Sequence, residues 1–267
     1  FFDFQKGVSC ARKPLGMSCL TTNCDKRSFL HKGWRVARQT VLAQVLNDKT
    51  PWGAIALIHP MLEARLKSFG YTNSNMVTIR NPVDPFAKER VKAEQNDRFF
   101  FVGRVEPDKG VLEFVRAAQI ADVPVTIVGE GPLVAQLQKD HPDIQFAGWC
   151  GKEEIGSLMQ QARALVMPSR FAEPFGLVAV EAAQSGVPVI VAQDAFLAKE
   201  VTEKGLGLSC DIHDAQGFAA VLKTMVDMPP ANVLKMSEKG FSNAEPLALH
   251  PDEWCEALLS LFASLVE

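Results

Sequence analysis

Glu173 and Glu181 lie eight positions apart, with seven residues between them, in the stretch FAEPFGLVAVEAAQSGVPVI, residues 171–190. Glu173 precedes a Pro-Phe-Gly turn and is expected at a helix N-terminus, where free backbone amides and the helix dipole favour a negative group. Glu181 falls about two helical turns further on, among Val178, Ala179, Val180, Ala182 and Ala183. An ionised acid in such apolar company costs several kcal/mol unless something bonds it. Two kinds of partner are open at this point: a structural Arg or Lys, or the hydroxyls of a ligand.

Two other stretches carry chemistry. In VGRVEPDKG, residues 102–110, Arg104 and Lys109 share a short connection with Glu106 and Asp108, between Gly103 and Gly110. A pair of cations beside a helix start, with a glycine that allows close backbone approach, suits an anion such as a diphosphate. Ordinary surface charge in a polar loop is the competing reading. In VGEGPL, residues 128–133, Gly129 and Gly131 let backbone N–H groups face a ligand, and Pro132 suits a first helical turn. A bare G-x-G is a weak nucleotide signal. The dinucleotide fingerprint G-x-G-x-x-G is missing, which argues against an oxidoreductase on a similar sheet, and the lack of GxxxxGK[ST] excludes a P-loop NTPase.

The elements that position these residues alternate. Residues 98–192 read as strand FFFV, helix VLEFVRAAQIA, strand VPVTIV, helix PLVAQLQKD, strand IQFAGW, helix KEEIGSLMQQA, strand ALVMPS, helix GLVAVEAAQS and strand VPVIVA. Short Val/Ile-rich strands between helices of about ten residues specify an α/β fold with a doubly wound parallel sheet. Ligands bind such sheets at the carboxyl ends of the strands, and all three stretches begin there. Upstream, AIALI, PMLEARLKSFG and MVTIR form a strand–helix–strand unit, and residues 26–47 have apolar positions at helical spacing (Phe29, Val36, Val41) with basic residues between. Residues 1–25 read as an irregular loop. The stretch NPVDPFAKERVKAEQND interrupts the alternation and reads as a boundary. After about residue 214 the chain is mostly helical. The expected organisation is residues 1–84 as the remainder of a first domain, 85–97 as a linker, 98–250 as a second domain and 251–267 as a C-terminal helix packing toward the first.

Composition narrows the class. A chain of 267 residues with 47% hydrophobic and 22% charged residues is a globular protein with a sizeable core. A formal net charge of −3 gives no basic footprint for nucleic acid. No apolar run approaches the roughly 20 residues that span a bilayer, and no signal peptide is present. A cytoplasmic location is expected, although the chain opens Phe-Phe-Asp-Phe without Met and reads as a fragment or a processed product. Cys10, Cys19 and Cys24 lack C-x-x-C spacing, and the favoured reading is unpaired thiols in a loop. A metal site or disulfide completed by an upstream cysteine is the alternative.

Together GRVEPDKG, VGEGPL, FAGW and SRFAEPFGLVAVEAAQSGVPVI resemble the donor-binding domain of GT-B retaining glycosyltransferases of the group-1 family, whose E-x7-E hallmark here runs from Glu173 to Glu181. Residues 52–84 resemble the end of that family's N-terminal domain, so the chain is expected to be N-terminally truncated and part of a second Rossmann-like domain to be present. The resemblance implies transfer of a hexose from a nucleotide diphosphate sugar (a UDP or GDP sugar, with ADP also open) with retention of configuration. It implies that Arg104 and Lys109 bind the donor diphosphate and stabilise the departing nucleoside diphosphate, while Glu173 contacts the transferred sugar. Pro174, Phe175, Gly176 and Leu177 line sugar and phosphate, the last three through backbone amides. Glu181 accepts from the ribose hydroxyls. Gly103 permits the backbone approach, and Gly129, Gly131 and the Gly148–Trp149 loop frame the base. No metal and no other cofactor are expected, since the chain has no D-x-D. The acceptor is a saccharide or a lipid-linked one, the latter with peripheral membrane contact. The sequence departs from the family at AQDAFLAKEV, where Asp194 and Ala195 stand in place of a Gly-rich turn ahead of Glu200. Other readings are a non-catalytic nucleotide-sugar-binding fragment, and a related epimerase or phosphorylase; the phosphorylase would need a pyridoxal lysine, for which no clear candidate exists.

Overall fold

Runs of Val, Ile and Phe with no polar face need cover on both sides, and in the computed structural model they form the centre of a parallel sheet. The structure describes residues 2–3, 5, 8–10, 12–25, 27–45, 53–68, 75–244 and 246–266. The chain divides into two units, one of residues 1–81 with 252–267 and the other of residues 82–251.

In the first unit, β1 (Phe2–Asp3) pairs antiparallel with β2 (Val8–Ser9), and α1 (Met17–Thr21) and α2 (Phe29–Val45) follow. The expected irregular loop over residues 1–25 thus contains a small hairpin and a short helix. The helix expected over 26–47 is present, but Phe29 and Val41 of its apolar stripe are exposed. Next, β3 (Ile55–Leu57), α3 (Met61–Ser68) and β4 (Met76–Thr78) form the strand–helix–strand unit, with β3 parallel to β4. The last helix, Pro251–Ala263, closes the chain. Among the described residues no helix is long and apolar enough to cross a membrane. Cys10, Cys19 and Cys24 line one cavity of this unit and form no disulfide.

The second unit alternates β5 (Arg98–Val102), α4 (Val111–Ala121), β6 (Val125–Val128), α5 (Val134–Asp140), β7 (Gln145–Gly148), α6 (Lys152–Met159) and β8 (Ala162–Met167). It continues with α7 (Leu177–Gln184), β9 (Val189–Ala192), α8 (Ala198–Glu203), β10 (Gly207–Cys210), α9 (Ala215–Asp227) and α10 (Pro230–Ser242). All six strands are parallel, in the order β10-β9-β8-β5-β6-β7. The chain therefore moves outward from β5 to β7, returns to the other side of β5 as β8, and moves outward again. That reversal between β5 and β8 is the topological switch point.

The core on one face of the sheet joins Phe99, Phe101 and Ile127 to Phe114 of α4 and Phe218 and Leu222 of α9. The Phe114 and Phe218 rings lie 6.3 Å apart, a tilted aromatic contact. Arg163 at the start of β8 is buried and donates to the carbonyls of Met225, Val226 and Met228. These are carbonyls that the end of α9 leaves without helical partners, and burial lowers the pKa of the guanidinium that bonds them.

Residues 85–97, expected as a linker, are instead built into the second unit. Val91 and Ala93 are fully buried, the Val91 amide donates to the Ser185 carbonyl at 2.9 Å, and Arg90 bridges Glu94 and Ser237. The prolines make this segment irregular, but its alternate apolar residues still bury. The strand β10 has no counterpart in the sequence reading, because Gly-Leu-Ser-Cys is a poor strand former by composition. Its place beside β9 comes from the sheet, and a Cβ on Gly207 would lie 1.8 Å from the Val189 carbonyl oxygen.

Candidate functional site

The parallel sheet brings the carboxyl ends of β5, β6, β7 and β8 to one edge, and with them the connections singled out in the sequence, while Glu181 lies further along α7. Gly103, Arg104 and Lys109 follow β5. Gly129 and Gly131 follow β6, Gly148 ends β7 and Trp149 comes next, and Glu173 to Leu177 join β8 to α7, which carries Glu181. The two most heavily charged connections, residues 103–110 and 168–176, flank the switch point.

These connections lock to one another through the backbone. The Gly129 amide donates to Gly148 at 2.7 Å, and the Val105 amide donates to Glu130 at 2.8 Å. A Cβ on Gly129 would lie 1.9 Å from the Gly103 carbonyl oxygen, and one on Gly131 would lie 2.3 Å from that of Val105. Close packing of neighbouring loops therefore already requires both glycines, before any ligand is considered. Gly110 was not singled out for this role. It sits at φ 71°, where a Cβ would lie 1.8 Å from the Pro168 carbonyl oxygen, so it lets the connection after β5 close onto the one after β8.

The centre of the crest is a charged cluster. Lys109 Nζ lies 2.9 Å from Glu173 Oε2 and 4.8 Å from the centroid of the Phe171 ring. Ser169, which is buried, donates its hydroxyl to the same Oε2 at 2.9 Å. One carboxylate oxygen is thus held by two donors, and the Glu173 carbonyl is held by the Phe196 amide at 3.1 Å. Arg104 lies 2.6 Å from Glu106 and 3.7 Å from Asp108. Arg170, which the sequence reading passed over, joins the two connections. Its amide donates to the Asp108 carbonyl at 3.0 Å, and its guanidinium lies 3.4 Å from Glu113 on α4.

Helix α7 opens at Gly176, in the left-handed conformation at φ 74°. The Phe175 side chain is buried, so only the backbone of that residue can meet a ligand, whereas Leu177 is half exposed. Among the described residues the amides of Phe175, Gly176 and Leu177 have no acceptor, as expected of a first helical turn. Trp149 stands out into solvent, 73% exposed.

Glu181 is half-buried rather than fully enclosed. Burial pushes its carboxyl pKa up; Lys152 pulls it down and Asp84 adds to the rise. Lys152 itself lies 3.7 Å from Asp84. Among the described residues no group hydrogen-bonds the Glu181 carboxylate, and the structural Arg or Lys weighed in the sequence is present only as Lys152 acting at a distance. Among those residues no group of three His, Cys, Asp or Glu side chains gathers where a metal ion could be held.

A doubly wound parallel sheet with glycine-rich and cationic connections at its switch point is the place where α/β folds of this kind put their ligands. Residues 83–242 match the family model for glycosyl transferases group 1, and the chain belongs to that family. It is 30% identical over 219 residues to glycogen synthase of Mycobacterium tuberculosis, covering 75% of this chain and 52% of that one. The chain thus spans about half the length of that curated relative. Among solved structures it resembles sucrose-phosphate synthase from Thermosynechococcus elongatus (TM-score 0.72, 22% identity, 86% of this chain and 62% of that one). It also resembles HepE from Anabaena, solved with UDP and glucose (TM-score 0.70, 18% identity, 85% of this chain and 67% of that one). The fold is α/β of the GT-B type.

Proposed function

We propose that the chain supplies the donor site of a glycosyltransferase that moves a hexose from a nucleotide diphosphate sugar to an acceptor with retention of configuration. The observation that carries this reading is Glu181. Its partly buried carboxylate has no hydrogen-bond partner among the described residues, on a helix that follows directly from the β8 connection. A ribose diol offers two donors to one carboxylate, which would offset the cost of its burial. In this reading Arg104 and Lys109 meet the diphosphate together with the amides of Phe175 to Leu177. Negative charge that grows on the departing nucleoside diphosphate is stabilised by these fixed donors, and the reading requires no metal. Glu173, with one oxygen anchored by Lys109 and Ser169, directs the other to a sugar hydroxyl. The base lies against the Gly129–Gly131 and Gly148–Trp149 connections.

A second reading, a unit that binds nucleotide sugars without transferring them, is favoured by one observation: Arg104 and Lys109 are both already paired with carboxylates. Thermal melting with UDP, GDP and ADP tests the feature common to both readings. A ligand at 100 times its Kd adds about 2.7 kcal/mol, so the matching nucleotide is expected to raise the melting temperature by several degrees. If none of the three shifts it, the donor site is wrong. Release of nucleoside diphosphate from the matching nucleotide sugar then separates transfer from binding alone.

A further inference from the structure

We propose, on the reading that the crest holds a diphosphate, that Glu106 is an internal counter-ion that competes with the donor for Arg104 and thereby sets donor affinity. Three cations stand around the switch point, Arg104, Lys109 and Arg170, and each is paired with a carboxylate. Their partners are Glu106 and Asp108, Glu173, and Glu113. Three positive charges against four negative ones leave the cluster with one net negative charge, the wrong sign for an incoming diphosphate. For Arg104 to hold the anion, its guanidinium must leave the carboxylates it is already paired with.

Exposure decides which pair yields. The Arg104 side chain is 59% exposed, against 24% for Lys109 and 26% for Arg170. Its two carboxylates are the fixed ends, at 18% exposure for Glu106 and 14% for Asp108. Glu106 is also placed by the backbone: its amide donates to the Arg104 carbonyl at 2.9 Å, and its carbonyl accepts from the Lys109 amide at 3.1 Å. Arg104 can swing out to a phosphate, while Glu106 stays where it is and takes the guanidinium back when the nucleoside diphosphate leaves. Glu106 lies 2.6 Å from Arg104 and Asp108 lies 3.7 Å away, which makes Glu106 the stronger competitor. Coulomb attraction falls with distance, and the hydrogen-bonded carboxylate adds directionality.

The test is a calorimetric titration at low salt of the wild type, Glu106→Gln, Arg104→Ala and the double variant, with UDP, GDP, ADP and inorganic pyrophosphate. Gln keeps the size and an acceptor oxygen but removes the charge, and a thermal melt of each variant checks that the fold is kept. Exposed ion pairs are individually weak, which limits the gain. Glu106→Gln is expected to tighten whichever ligand binds by about two- to fivefold, and to lose that gain in the Arg104→Ala background. Unchanged or weaker binding by Glu106→Gln overturns the proposal, as does an equal gain with Arg104 absent. Failure of all four ligands to bind the wild type instead overturns the donor-site reading, and this proposal with it.

Discussion

Replacing Glu181 by Gln is expected to weaken nucleoside diphosphate binding by about tenfold or more and to stabilise the ligand-free protein at neutral pH. Both effects arise from the same carboxylate. A hydrogen bond to a charged group is worth about 1.5–3 kcal/mol, which converts to a loss of tenfold or more, and an amide has only one acceptor oxygen to offer a diol. The stability effect follows from the raised pKa. As pH climbs, the unfolded chain ionises first, near the ordinary Glu value of 4.5, and the folded chain ionises later. Stability therefore falls through that window and stays lower above it, whereas Gln pays no such penalty. The variant should melt above the wild type at pH 7, and the two should converge below pH 4.5. Pyrophosphate, which has no ribose, should bind both equally. Undiminished nucleotide affinity in Glu181→Gln would remove the ribose role.

Lys109→Ala is expected to lower diphosphate affinity by about tenfold to a hundredfold. The cation is lost from the switch point, and Glu173 keeps only the Ser169 hydroxyl on its anchored oxygen. An unneutralised carboxylate then faces the incoming anion, so the loss should exceed that of one contact. The salt dependence should also flatten, because fewer charges meet across the site. Adding Arg104→Ala should deepen both effects by less than the sum of the single changes, since the two cations share one connection. Titration across salt concentrations reads all of this, and a Lys109→Ala protein that binds like the wild type would show that the pair with Glu173 is purely structural.

Most of the architecture of the second unit was legible because strand ends are punctuated. FFFVG, TIVGEG and VMPS end in Gly or Pro-Ser at the edge where a parallel sheet places its ligand connections. The spacing of Glu173 and Glu181 likewise places one acid before a helix and one on it. The illegible parts are relations across the fold. No local pattern tells that Gly129 must clear the Gly103 carbonyl, or that Gly110 must clear Pro168. The same is true of Arg170, whose amide and guanidinium tie the Lys109 connection to α4 and read along the chain as one more polar loop residue. Prolines at 82 and 85 pointed to a linker, yet burial of Val91 and Ala93 outweighs irregular backbone. The glycine-led strand β10 is held by pairing with β9 rather than by its own propensity.

Hydrogen–deuterium exchange with and without the matching nucleoside diphosphate tests the central claim most directly, because it reports where the ligand sits rather than whether it binds. The account predicts slower exchange in the four connections at the carboxyl edge of the sheet, residues 103–110, 129–133, 148–151 and 169–177, and at the first turn of α7. The opposite edge of the sheet and the first unit's hairpin should be unchanged. Protection that appears elsewhere, with these four connections exchanging as before, would contradict it.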